Sequence, residues 1–589
     1  MKKVVSMILV LLIIMATGMF GGCSNTQNNE KMKADKILKN AKIYTSDSDN
    51  PQATALVIKD GKFDYVGDEE GLKDYEGEVV DMGGKFITPT FMDAHVHLPQ
   101  SLCLLSFDYF QFISGNNKAD CLKSIKDEID KNPDASDYTF NMSLACLGGE
   151  QLTKEDLDAI CSDKEVLVLE AAGHSSWSNS LILKNMGVTD DTPDMAKGDA
   201  YFVRDEDGHI TGEAYEGPHF EIINRHQDRI KEENIEEEFT KWVDFCKEAG
   251  VSAVYEAGTP GSNELTERAY EVLSKMDKEG KLPVYIEGSY TIYDPAKRST
   301  VTDELNRLNK KFNTEHFKVD TLKVYFDGSL NAKTAKMVEP YVDTGTSGGT
   351  IFDVDETASL LKELNANGYN FHAHCVGEGG VNIVLDAVEN VKKELGDNFK
   401  IKVTIAHNMT IRDEDIPRFE KLGVIADFTA WWFSGAGIAG DIEGLKTFMG
   451  DRAYKMYRAK SVWDTGAMVT WSSDNTEFGD FSHWNPMLGI EVAMTRQITK
   501  DTKLNFDGVE PGEQFPDKAE CMSAEEMILG YTVNAANQLC INDRKGTIEP
   551  GKDADYIVFD EDLLNEKPSK FSQISPKEVW FEGKQVNSK

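Results

Sequence analysis

No Cys-x-x-Cys spacing occurs among the nine cysteines, so neither a zinc ribbon nor a redox dithiol is signalled. Cys23 stands apart near the start. The other eight are scattered and are expected to be mostly buried small hydrophobes. Basic residues are scarce as well: 63 Lys and Arg against 101 Asp and Glu leave a formal net charge of −38. Such a surface repels phosphate backbones and anionic headgroups, so neither nucleic acid nor a membrane surface is an expected partner. Charged residues at 28% and hydrophobic ones at 40% still describe a globular chain, not a disordered one. At 589 residues the chain exceeds one small core, and a large domain with an accessory one is expected.

The opening residues stand outside the fold. "MKK" is a basic n-region, "VVSMILVLLIIMATGMF" an apolar h-region, and "GGCS" places small residues before Cys23. This resembles a bacterial lipoprotein signal, although Phe20 stands where such signals usually carry Leu. The resemblance implies removal of residues 1–22, lipid attachment at Cys23, and export to the outer side of the cell membrane. The lipid anchor would be the chain's membrane contact. An ordinary signal peptide or an uncleaved anchor is the alternative. Residues 23–34 are polar and free of aromatics and read as a tether. An exported chain is permitted disulfides, but this cysteine spacing does not demand them.

Residues 35–86 alternate in short runs with Asp-Gly and Gly-Lys turns, and residues 539–589 have the same texture ("DADYIVFDED", "PKEVWFEGKQV"). One small β-sandwich built from both chain ends accommodates this, because termini tend to lie close together. Between them, residues 87–538 show eight short apolar runs. These are Ile87–His95, Val251–Ala257, Val284–Ser289, Leu322–Phe326, Asn370–His374, Lys402–His407, Val424–Phe428 and Met468–Ser472. From the second onward, helical patterns such as "DETASLLKELNANG" fill the gaps. Eight strands alternating with helices predict a (β/α)8 TIM barrel, with a doubly wound sheet as the alternative. About 150 residues separate the first two strands where a βα unit needs ~30. An insertion over 100–250 therefore leaves the C-terminal end of strand one, the side on which barrel sites are built.

Residues i and i+2 of a strand share a face, so His95 and His97 can bind one metal together. Strand five ends with His372 and His374 in the same phase, strand six with His407, and strand eight with Asp474. Five of the eleven histidines thus fall at predicted strand ends. Lys323, inside apolar strand four, is costly to bury unless its charge is paired or removed. Nitrogen and oxygen donors of this kind suit Zn²⁺, with Fe, Mn or Ni also compatible.

Taken together, "PTFMDAHVHL", "GHSSWSNS", "TGEAYE", "KVYFDGSLNAKTA", "HAHCVGEGG", "TIAHNMTIRDEDIPRFEKLGV", "MVTWSSDN" and "GTIEPGKDADYIVFD" resemble the amidohydrolase superfamily, in its family-3, YtcJ-like branch. The resemblance implies one or two Zn²⁺ or other divalent ions. His95 and His97 would bind the first and His374 and His407 the second. Lys323 would bridge them after carboxylation by CO₂, and Asp474 would be a ligand of the first ion and the proton shuttle. His372 would be a ligand or a support behind one. His174, Trp177 and Asn179 would touch substrate, although Ser and Asn before "LILKNMG" equally suit a helix start. Glu216 and Asp327 match family motifs and are equally explained as buried structural carboxylates. His209, His219, His226, His316 and His483 are expected at surface or packing positions.

The implied activity is hydrolysis of a non-peptide C–N bond in a small amide, N-formyl compound or cyclic amide. A catalytically silent ligand- or metal-binding surface lipoprotein, or an ester hydrolase on the same scaffold, are the alternatives. Ala172, Ser472, the Gly377-Glu378 pair and Thr90 depart from the family pattern and bear on pocket shape, not on ligands. Nothing in the sequence reports an oligomeric state.

Overall fold

The computed structural model describes residues 31–171, 173–196, 200–259, 263–434, 442–475, 481–497 and 517–587. The expected signal segment and Cys23, the expected lipidation site, lie outside the described residues. Among the described residues no helix is long and apolar enough to cross a membrane.

Both chain ends meet in a β-sandwich. One sheet has four strands, Met32–Lys39, Ala55–Lys59, Lys62–Gly67 and Tyr75–Asp81. The other has six, joining Lys42–Tyr44, Gln52–Ala53 and Phe86–Pro89 to Tyr556–Phe559, Glu578–Phe581 and Lys584–Gln585. Alternate residues of both sheets, among them Leu56, Ile58, Phe63, Ile87, Tyr556, Val558 and Trp580, make the core between them. The Asp60-Gly61 turn needs its glycine: φ is 75°, and a Cβ would lie 2.9 Å from the Glu582 carbonyl oxygen. The C-terminal motif is tied in by backbone bonds, Phe63 N–H to the Lys552 carbonyl and Gly551 N–H to the Phe63 carbonyl.

The first predicted barrel strand, Ile87–His95, is in fact two strands. Phe86–Pro89 pairs with Tyr556–Phe559 in the sandwich, and Phe91–Val96 begins the barrel. Both halves are buried, so the apolar run is continuous in sequence although the chain changes sheet at Thr90. The break follows Pro89, which has no N–H to carry a ladder onward.

The remaining barrel strands are Val251–Glu256, Tyr285–Ile292, Phe317–Tyr325, Asn370–Cys375, Val403–His407, Ile425–Thr429 and Val469–Ser472. Each pairs in parallel with the next in chain order. Strand four starts at Phe317, ahead of the predicted Leu322. Helices pack outside. Val354–Asn367 shows why: Asp353 and Glu356 form a capping box, Gly368 ends it at φ 78°, and Leu360, Leu361 and Leu364 are buried.

The barrel closes between strands one and eight. Asp474 N–H donates to the His95 carbonyl at 2.9 Å, and His97 N–H to the Asn475 carbonyl at 3.0 Å. Gln538 bridges the same seam deeper down: its amide donates to the Ala94 carbonyl at 2.8 Å and accepts from Thr470 Oγ1 at 2.7 Å.

The insertion leaves the barrel after His97 and carries a separate six-stranded sheet, in the order Tyr201–Arg204, Ile210–Tyr215, Ser175–Ser178, Glu165–Glu170, Asp137–Met142, Phe110–Phe112. The helix Glu232–Ala249 brings the chain back, ending at Gly250 with φ 76°. The eight described cysteines are all free thiols, and five are buried.

Replacing Gln538 by Leu strands a buried carbonyl and removes a partner of a buried hydroxyl across the seam. We expect about 1–3 kcal/mol of destabilisation, read as a lower urea midpoint. An unchanged midpoint would contradict the seam role.

Candidate metal centre

Strand alternation puts His95 and His97 on the same inner face, both buried, with Nε2 atoms 3.2 Å apart. His97 Nδ1 donates to the Gly258 carbonyl at 2.7 Å. That bond fixes the tautomer and leaves the Nε2 lone pair facing inward. Only glycine fits at 258: φ is 78°, and a Cβ would lie 1.8 Å from Thr291 Oγ1.

Asp474 Oδ1 lies 3.3 Å from His95 Nε2 and 3.2 Å from His97 Nε2. Its Oδ2 is 3.7 Å from His407 Nδ1. Asp474 and His407 both adopt positive φ, 49° and 74°, which non-glycine residues rarely hold without constraint. Both ring nitrogens of His407 and Oδ1 of Asp474 are buried without a hydrogen-bond partner. Orphaned polar atoms cost about 1–3 kcal/mol each. Their convergence with imidazole nitrogens is the donor set a divalent cation takes up. His95, His407 and Asp474 offer donor atoms within 4.8 Å of one another, as do His95, His372 and Asp427. The residues present therefore fit a bound divalent metal.

Burial, followed by the neighbouring charge of Lys323, holds His95 and His372 well below the ordinary imidazole pKa, and His407 is held down by burial, then His374, then Lys323. His374 is lowered by burial and by His174 before Lys323. Neutral imidazole is the form that ligates. Lys323 is fully buried with Nζ 2.9 Å from His95 Nε2. Burial pushes its pKa down to about 7, against the pull of the Asp474, Asp427 and Glu256 carboxylates. His374 lies beside His407, ring centroids 4.3 Å apart, and stacks on Tyr325 at 5.2 Å. Its Nε2 is 3.3 Å from the Gly328 carbonyl oxygen.

Not every residue predicted for the site reaches it. Trp177 is buried in the insertion's own core with Tyr138, Phe140 and Val166, not at the barrel mouth. Asn179 caps the helix Ser180–Asn185 through its side-chain oxygen and donates to the Cys161 and Lys164 carbonyls. The helix-start reading of that motif is the one its geometry fits, so neither residue is placed to touch substrate. His372 sits behind His95, Nε2 to Nδ1 at 2.9 Å, and stacks on Tyr255 at 4.3 Å, so it backs a ligand instead of facing a substrate.

His174 alone of the insertion candidates arrives at the centre, its ring 5.4 Å from that of His374. Burial alone would lower its pKa. The Glu216 charge and the 2.8 Å bond from His174 Nδ1 to Glu216 Oε2 more than offset that and raise it.

Sequence reasoning missed Asp427. It lies 3.7 Å from His95 Nδ1 and accepts from Ser472 and Thr470 hydroxyls, and burial raises its pKa far above the usual carboxylate value. A carboxylate inside the apolar run "VIADF" carried the same signal as Lys323. Asp93, raised to about 7 by burial, accepts the His95 and Ser473 N–H groups and so braces the seam from within. Asp327, also about 7 for the same reason, accepts the N–H groups of Lys336, Val376 and Gly377 and is structural. An aromatic wall borders the centre. Trp432 stacks on His407 at 5.4 Å, and Phe220 packs on Tyr325 at 5.7 Å. The other histidines have separate partners: His209 with Asp190, His226 with Glu165, His316 with Asp277, His219 with the Gly173 carbonyl, and His483 stacked on Trp431.

Comparison with known proteins places this arrangement. YtcJ of Bacillus subtilis (strain 168) is 23% identical over 556 residues, 93% of this chain and 98% of its own length. The N-substituted formamide deformylase of Arthrobacter pascens is 22% identical over 578 residues, 93% and 97% of the two chains. Among solved structures, an uncharacterized metal-dependent hydrolase from Pyrococcus horikoshii OT3 superposes with a TM-score of 0.63 at 23% identity. It covers 90% of this chain and 99% of that one, and shares the fold. The model of the amidohydrolase family matches residues 78–587, nearly the whole described chain, and the protein belongs to that family.

Proposed function

We propose that this chain is a metal-dependent hydrolase that cleaves a non-peptide C–N bond in a small amide, N-formyl compound or cyclic amide. The observation that carries the reading is Asp474 Oδ1, buried, unpartnered and 3.2–3.3 Å from two imidazole nitrogens. The name of the Arthrobacter pascens relative, a formamide deformylase, supports the substrate class.

His95, His97, His407 and Asp474 would hold one divalent ion, with His374 and Lys323 available to a second; zinc suits the donor set. Such an ion supplies Lewis acidity, bringing water's pKa toward ~7 and polarising a carbonyl. The chain's own residues do the rest. Asp474 accepts at Oδ1 the proton that the attacking water gives up and returns it to the departing nitrogen. His97, pinned by Gly258, and His95, backed by His372 and Asp427, stay in one orientation throughout. The Trp432, Tyr325 and Phe220 wall keeps bulk water from the reacting group.

Lys323 has a further role in this reading. With a pKa near 7, much of it is a neutral amine at neutral pH. The amine nitrogen can add to CO₂, forming an N–C bond and releasing a proton, which leaves an anionic carbamate with two oxygen donors. Carboxylation would remove the cost of a buried cation and would offer oxygen donors to a second ion.

Asp474→Asn is expected to keep its metal while turnover of N-formyl and N-acyl compounds falls about 10²–10⁴-fold; wild-type turnover in that variant would end the assignment. For Lys323, metal content measured with and without bicarbonate is decisive. Wild type should bind more ion with bicarbonate, and Lys323→Met should not respond. Equal loading of the wild type under both conditions would contradict the carbamate.

A further inference from the structure

The insertion sheet lies outside the barrel, yet it delivers His174 to the metal centre, and the delivery runs through Glu216. The two residues grip each other twice. Glu216 N–H donates to the His174 carbonyl at 3.0 Å, and His174 Nδ1 donates to Glu216 Oε2 at 2.8 Å. The other carboxylate oxygen, Oε1, accepts from Thr334 Oγ1 at 2.8 Å, in the loop that follows barrel strand four. The backbone of Glu216 is at φ 49°, ψ −121°, outside the regions open to L-residues. A residue stays there only when its surroundings over-determine it, and such strain concentrates where a side chain must be aimed.

Gly328 completes the junction. A Cβ there would lie 2.5 Å from Glu216 Oε1 and 2.0 Å from Thr334 Oγ1, and its carbonyl oxygen is 3.3 Å from His374 Nε2. Insertion, strand-four loop and metal centre therefore meet without spare volume. The insertion is docked on the barrel by other contacts as well, among them Phe220 packed on Tyr325 and Tyr293, and Thr334 engages only one carboxylate oxygen of Glu216. The second carboxylate oxygen and the strained backbone are both spent on His174. With Nδ1 occupied, Nε2 is the polar edge that the ring, 16% exposed, has left to offer.

We propose that Glu216 is a positioning residue that holds His174 with Nε2 presented to the amide group of the substrate beside His374. This rests on the hydrolase reading of the site. The paired grip on His174 and the backbone outlier carry the assignment.

The test is a double-mutant cycle on the full metal-loaded chain with an N-formyl substrate, using Glu216→Gln, His174→Ala and the double variant. Glu216→Gln should lose about 10²-fold in kcat, the scale of a misplaced catalytic contact, with metal content and KM near wild type. The double variant should be no slower than His174→Ala alone, because the two residues act as one unit. Additive losses, or an unchanged kcat in Glu216→Gln, would overturn the proposal. A second readout needs no activity. In ¹⁵N-histidine spectra of the metal-free protein, a hydrogen-bonded Nδ1 proton that vanishes in His174→Ala should also vanish or shift in Glu216→Gln. Its absence from wild type would overturn the proposal. If Glu216→Gln does not fold, Glu216→Asp should show a shifted Nδ1 signal and a lower kcat, and wild-type values for both would overturn it. Should wild type turn over no amide at all while the Nδ1 signal behaves as expected, the hydrolase reading fails and the Glu216–His174 pair stands.

Discussion

Two backbone hydrogen bonds, Asp474 N–H to the His95 carbonyl and His97 N–H to the Asn475 carbonyl, close the barrel and build its metal centre in the same act. Three of the four bonded residues, His95, His97 and Asp474, are candidate donors, so the candidate ligand geometry is held by the same bonds that join the ends of strands one and eight. Asp93 reinforces the arrangement by accepting one N–H from each strand. Gln538 repeats the bridge one layer lower. The positive φ values of His407 and Asp474 are the local cost of turning two strand ends inward at that rim.

Charge inside the barrel follows from the same closure. Lys323, Asp93, Glu256 and Asp427 are all sealed from water, and burial drives each toward its neutral form, the lysine down and the acids up. A protein interior tolerates such a set when the charges are paired, discharged or gathered round a cation. Orphaned nitrogens on His407 and the orphaned oxygen of Asp474 lie in the candidate site for such a cation.

The eight strands were legible in the sequence because parallel strands covered on both faces run largely apolar. The two-residue spacing of His95 with His97 and of His372 with His374 gave their shared faces at once. Depth along the strand was not legible. His372 and His374 share a phase, but one lies behind His95 while the other stands beside His407. The strand change at Thr90 was hidden because burial continues across it. In the insertion, "GHSSWSNS" reads as a single polar cluster. Its residues part company because Trp177 packs into the insertion's own core, while Asn179 turns to cap a helix. Asp427 needed only the argument already applied to Lys323. The pairing of His174 with Glu216, 42 residues apart, had no local signal.

On the proposed reading, the closed seam holds a divalent ion among His95, His97, His407 and Asp474. Crystals of the zinc-loaded protein, with diffraction recorded on both sides of the zinc absorption edge, test it directly. An anomalous peak bounded by those four side chains is expected. Zinc bound elsewhere, with that position empty, would contradict it.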